Sequence, residues 1–196
     1  MTKEEFSIRL GLLTDELYEA YEYFTGYYCL YNKISTNRDE MNTAPAFFQS
    51  VLKAFLEIYA LKTAKLYDDH DDALCFRKLR GWIEQSKGFG KSKEETQRAI
   101  QDIQSYLDKN NNTAKQLKLL RDKLLAHTDK KQVKINIWED AGLKISDYRS
   151  LITDGQEIIC ICKKLIDEPT PVLGMGIECD IDYLIQLLSK GKHCVH

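Results

Sequence analysis

The chain is poor in what interrupts a helix and in what crosses a membrane. It has three prolines in 196 residues, Pro45, Pro169 and Pro171. Long unbroken helices are therefore open to it. No apolar run approaches the ~20 residues that a membrane helix needs. Met1-Thr2-Lys3-Glu4-Glu5 is polar and acidic, unlike a signal peptide. The six cysteines (Cys29, Cys75, Cys160, Cys162, Cys179 and Cys194) form no secreted-type framework, and four of them lie in apolar helical patterns. That usage reads as reduced thiols in a cytoplasmic protein. Repeats and low-complexity tracts are absent, and the length suits one domain with or without an added segment. Ser86-Lys87-Gly88-Phe89-Gly90-Lys91-Ser92 imitates a phosphate loop, but the glycine required five positions before Gly90 is Gln85. It reads as a loop. Only Val133 to Ile137 alternate with the period of a strand, and no second strand is there to pair with them.

What remains is helical. Thr2-Lys3-Glu4-Glu5 is a capping-box pattern opening a helix over about residues 3 to 33. Its stripe is Phe6, Leu10, Leu13, Leu17, Tyr21, Phe24, Tyr28 and Tyr31, at spacings of three and four. Aromatics so spaced read as core or helix interface before base stacking. Pro45 opens a second helix, residues 44 to 68. One apolar face runs through Phe47, Val51, Ala54, Ile58 and Leu61, and another through Phe48, Leu52, Phe55, Tyr59 and Leu66. Two such faces suit the middle of a bundle. Asp68-Asp69-His70-Asp71-Asp72 follows, with the residue types of a hard-cation site but reading more simply as a solvated connection. A short helix covers about 73 to 86. Ser92-Lys93-Glu94-Glu95 caps a further helix that is expected to stop at Asn110-Asn111-Asn112. Thr113 then caps the next, with Leu117, Leu120 and Leu124 as its stripe. Residues 146 to 168 form another, ended by Pro169 and Pro171, and 179 to 190 a last short one, read as an appendage. The pattern is all-α. Lys192-His193-Cys194-Val195-His196 carries metal-ligand types too tightly spaced for a closed zinc site and reads as a loose tail.

The net charge of −2 conceals a division. Residues 109 to 134 hold eight basic residues against two acids, a local +6 that leaves −8 for the rest. Such a field suits an anionic partner, or else is a solvated helix face. Within it stand Arg121, Asp122 and His127. Arginine grips phosphate with two parallel bonds, and histidine exchanges protons near neutrality. Leu120 and His127 are seven residues apart, so His127 continues the buried stripe, and Arg121, about 100° from Leu120, sits on its rim. Arg121 and His127 are then about 120° apart around one axis. They converge only if the helix bends at Ala126-His127-Thr128, or if a second copy brings its pair across a two-fold axis. The plainer alternative pairs Arg121 with an acid of the bundle and leaves His127 satisfied and half-buried.

At these residues the sequence resembles the HEPN superfamily of helical ribonucleases. Arg121, five intervening residues and His127 fit its Arg-x(4 to 6)-His signature, with the polar residue after the arginine present as Asp122. The run Arg121-Asp122-Lys123-x-x-Ala126-His127-x-Asp129 is similar to the abortive-infection U-type HEPN-like branch. So is the Phe47-Phe48 helix running into Leu61-Lys62-Thr63-Ala64-Lys65-Leu66-Tyr67-Asp68. The resemblance spans about residues 10 to 168. It implies a HEPN-like helical bundle over residues 1–168 with a C-terminal helical extension over 169–196. It further implies a homodimer and metal-independent cleavage of RNA at the dimer cleft, with no cofactor. Arg121, His127 and Asp122 would be the catalytic set, and Lys118, Lys123, Lys130 and Lys131 would hold RNA. An antitoxin protein is a further expected partner, and the membrane is not. The same fold without chemistry, a module that binds nucleic acid or a partner, is the alternative. Two positions depart from the family: Asp122 stands where asparagine is common, and Asp129 stands where some HEPN toxins carry a tyrosine that a partner transferase modifies.

Overall fold

The computed structural model describes residues 1–70, 72–86, 89–126, 142–174 and 176–192, leaving aside the side chains of 123–126 and 192. The described residues form α1 (Lys3–Thr36), α2 (Arg38–Met41), α3 (Pro45–Leu66), α4 (Phe76–Gln85), α5 (Lys93–Ala126), α6 (Ile145–Leu165) and α7 (Ile177–Lys192). No strand occurs among them. The strand-like residues 133 to 137 and the tail 193 to 196 lie outside the described residues.

Four long helices close a ring in which α1 packs on α3, α3 on α5, α5 on α6 and α6 on α1. The capping box at Thr2 forms as read: Glu5 N–H donates to Thr2 Oγ1 at 3.1 Å and Thr2 N–H to Glu5 Oε2 at 2.9 Å. From there Phe6, Leu10, Leu13, Leu17 and Phe24 run buried down α1. Beyond Phe24 the buried face rotates. Gly26 and Leu30 take it over, and Tyr31 is left exposed. The cause is α7, which docks on that end of α1. A Cβ on Gly26 would sit 2.7 Å from the Phe55 ring and 3.0 Å from Ile177, so the crossing is close because this residue has no side chain. Ile181 and Ile185 of α7 complete a second small core with Leu30, Met41 and Phe48, and Lys33 bonds Asp182 at 2.6 Å. The last helix is thus packed onto the bundle.

Helix α3 is a wall of the ring rather than its middle. The face through Phe48, Tyr59 and Leu66 is buried, whereas Phe47 and Ala54 on the second expected face stay exposed. Two tyrosines tie α3 and the turn after it to α6. The fully buried Tyr59 donates its hydroxyl to the Tyr148 carbonyl at 2.9 Å, and Tyr67 donates to that of Leu151 at 2.7 Å.

The expected break at Asn110-Asn111-Asn112 does not occur, and α5 runs through it. Three asparagines cost an α-helix roughly 0.5 kcal/mol each relative to alanine. Packing outweighs that. Ile103, Asn110 and Leu117 are seven residues apart and all buried, so Asn110 occupies a core position of the stripe. Its amide donates to the Tyr106 carbonyl at 2.9 Å and to Asp154 Oδ2 at 2.7 Å. Asp154, buried on α6, also accepts from Lys109 at 2.9 Å. A buried polar group is tolerated when it is bonded in this way.

Candidate functional site

The site grows from the C-terminal turns of α5. Leu117 and Leu120 are fully buried and fix the azimuth of the helix. Arg121, one residue on, therefore falls at the rim with its side chain 19 % exposed. Tyr67, held by its bond to α6, ends α3 and delivers Asp68 to the same place. Arg121 Nη1 donates to Asp68 Oδ2 at 2.7 Å. On its other side Arg121 Nε and Nη2 both donate to Asp122 Oδ1, at 3.0 and 2.9 Å. Three of the five guanidinium N–H groups are thus engaged.

Asp68 is itself held. Its Oδ1 accepts the backbone N–H groups of Asp69 (2.8 Å) and His70 (3.1 Å) in a tight turn. Lys118, one helical turn before Arg121, donates to Asp69 at 2.5 Å and reaches Asp68 at 3.5 Å. Burial disfavours the Asp68 charge. The Arg121 bond, the His70 N–H and Lys118 outweigh it and hold the carboxyl down at about 2. Burial likewise works against the Arg121 charge, and Asp68 and Asp122 more than restore it. The bond to Asp69 raises the Lys118 ammonium above its ordinary value.

The result is a braced arginine in a cluster of two cations and three carboxylates, with one acid in excess. Arg121 and Asp122 are together, as read from the sequence. Lys118, expected on an RNA backbone, is paired with Asp69 in the free chain. Lys109, another contributor to the +6 segment, is spent on Asp154. The acids after α3 read as a solvated connection, yet Asp68 and Asp69 turn onto α5. Their signal in the sequence was charge, an acidic run in a chain whose basic residues concentrate elsewhere. Among the described residues no group of three or more His, Cys, Asp or Glu side chains could hold a metal ion. His127, Lys130 and Lys131, and the bend considered at Ala126-His127-Thr128, lie outside the described residues, as does the side chain of Lys123.

The family model described as AbiU2, of the HEPN type, matches this chain over residues 3–160. That span includes α1 to α5, most of α6 and the whole Arg121-to-His127 interval. No curated protein and no solved structure matches the chain.

Proposed function

The chain belongs to the abortive-infection-related HEPN family AbiU2, and from that premise we propose that it is a metal-independent endoribonuclease. It acts as a homodimer in the cytoplasm, as a toxin or effector of abortive infection that an antitoxin protein restrains. The observation that carries this reading is the braced Arg121: a guanidinium fixed at a helix rim by Asp68 and Asp122, with two N–H donors left for a phosphate oxygen.

The chemistry is transesterification. The RNA 2′-oxygen bonds to the adjacent phosphorus while the bond from phosphorus to the 5′-oxygen breaks. His127 takes the 2′-hydroxyl proton and returns a proton to the departing 5′-oxygen. Arg121 opposes the charge growing on the non-bridging oxygens, a role commonly worth ~3 kcal/mol. Asp122 and Asp68 hold Arg121 in place, so its orientation is set before RNA arrives. Lys118, Lys123, Lys130 and Lys131 grip the RNA backbone, Lys118 by exchanging Asp69 for phosphate. The products are a 2′,3′-cyclic phosphate and a 5′-hydroxyl.

RNA incubated with the protein in EDTA, followed by mapping of the product ends, tests this. Those two ends are expected, with a rate loss of about 10² to 10³ in Arg121→Ala. A second reading is favoured by the same ion pairs. With Lys118 and Arg121 both acid-bound, the cluster suits a module that binds without cutting. Salt-sensitive RNA binding without turnover would select it.

A further inference from the structure

Between α1, α6 and the entry to α7 lies a cavity of about 400 Å³. Past it, α7 presents two faces. Ile181 and Ile185 are buried and Leu188 half-buried, packed with Leu30, Met41 and Phe48. Lys33 bonds Asp182 at 2.6 Å on the flank. These contacts fix the azimuth of the helix, so its other face is held toward solvent. That face carries Asp180, Tyr183, Leu187 and Lys190 in succession, all exposed, with Leu184 beside them. Tyr183 is 62 %, Leu184 39 % and Leu187 47 % exposed. No other stretch of five described residues exposes three large apolar side chains. Single exposed apolar residues are ordinary, whereas a contiguous group marks an interaction surface.

The order of residues on that face specifies its partner. Positions 180, 183, 187 and 190 are three, four and three apart, the a and d spacing of a helix-on-helix seam. The seam reads acid, apolar, apolar, lysine. The pair 180 and 190 and the pair 183 and 187 are both centred on position 185. Two copies of α7 laid antiparallel across a two-fold axis at that point therefore match along their length. Asp180 of each copy meets Lys190 of the other, Tyr183 meets Leu187, and Leu184 lies beside the axis. A two-fold contact requires this reciprocity. Neither Asp180 nor Lys190 has a charged partner in its own chain among the described residues. They stand roughly 15 Å apart along the helix, too far to pair with each other. A parallel pair would set acid on acid and lysine on lysine. A membrane surface is a poorer match, because Glu178, Asp180 and Asp182 gather three carboxylates where an interfacial helix carries lysine and arginine. The helix is already folded on the bundle, so association does not bear the cost of ordering it. We propose that α7 docks antiparallel on α7 of a second copy of this chain, through Asp180, Tyr183, Leu187 and Lys190. The contact does not rest on the ribonuclease reading and uses none of its residues.

Sedimentation equilibrium of the full chain from ~1 to ~500 μM tests it. The mass should rise with concentration above the 22.7 kDa of one chain. Variants of α7 should remove one doubling from it, returning two copies to one, or four to two where a further contact operates elsewhere. Leu187→Gln keeps a good helix former and should weaken that step about a hundredfold, because the leucine is lost from both copies. Asp180→Lys and Lys190→Asp should each weaken it about tenfold, since each sets like charges together at both ends of the seam. The double variant, Asp180→Lys with Lys190→Asp, should restore it. An equimolar mixture of the two single variants should also restore it, since every lysine there meets an acid. A variant that merely unfolded α7 would not regain association with its complement. Each variant should keep the wild-type helix content, because the substituted face is turned away from the core. RNA cleavage is not read in any arm, so these results stand apart from the ribonuclease reading. A mass of one chain throughout the range would assign the face to a different partner and overturn the proposal. Unchanged association in Leu187→Gln overturns it too, as does a double variant and a mixture no stronger than the single variants.

Discussion

Arg121 and Asp68 are 53 positions apart in sequence and 2.7 Å apart in the fold. The Asp68 carboxyl ordinarily titrates at 3.8 and is held at about 2 by Arg121, the His70 N–H and Lys118 against the cost of burial. A carboxyl depressed on folding stabilises the protein above its unfolded pKa and ceases to do so as pH falls through the folded one. The stabilisation is therefore complete above pH ~4 and disappears towards pH ~2, about 1 to 2 kcal/mol in all for a group at the protein edge. Asp68→Asn should lose that amount at pH 7 in urea denaturation and show a flatter stability profile between pH 4 and pH 2. An unaltered profile would mean that the bond contributes nothing. The rim position of Arg121 was legible, because one residue past a buried leucine is about 100° round the axis. Its partner was not. Which acid meets α5 depends on how Tyr67 sets the chain after α3, and that contact is tertiary.

Helix α5 shows local preference overruled. Asn110-Asn111-Asn112 reads as a stop because asparagine bonds its own backbone in turns. In the fold Asn110 is a core residue bonded to Asp154, 44 positions away, while Asn111 and Asn112 face solvent. The seven-residue spacing of Ile103, Asn110 and Leu117 carried that information, and the residue type concealed it. The continuity has a direct consequence. Asn111→Ala should stabilise by a few tenths of a kcal/mol, and Asn111→Pro should cost ~3 kcal/mol. Asn110→Ala, which deprives Asp154 of a donor, should cost about 1 to 3 kcal/mol. A connection between two helices would accept the proline with little loss, and thermal melts distinguish the cases. The stripe of α1 was legible as far as Phe24. Beyond it the buried face depends on α7 crossing Gly26, a contact that helix periodicity does not encode.

At the scale of the whole molecule the four-helix ring sets the Arg121 rim and the cavity between α1 and α6 in different places, lined by different residues. The all-α class was legible because capping boxes, apolar periodicity and scarce proline agree with one another. The assembly was not, because about 120° separates Arg121 from His127 on a straight helix and one chain leaves open whether a bend or a second copy unites them. Mixing Arg121→Ala with His127→Ala protein decides. If the pair works across a two-fold axis, each mixed dimer keeps one intact site, and about a quarter of wild-type cleavage should return. If each chain uses its own pair, mixing restores none. The most direct test of the account is RNA cleavage in EDTA by wild type beside His127→Ala. The account predicts cleavage by wild type and a fall of about 10² to 10⁴ in the variant. Cleavage that persists undiminished in His127→Ala would contradict it.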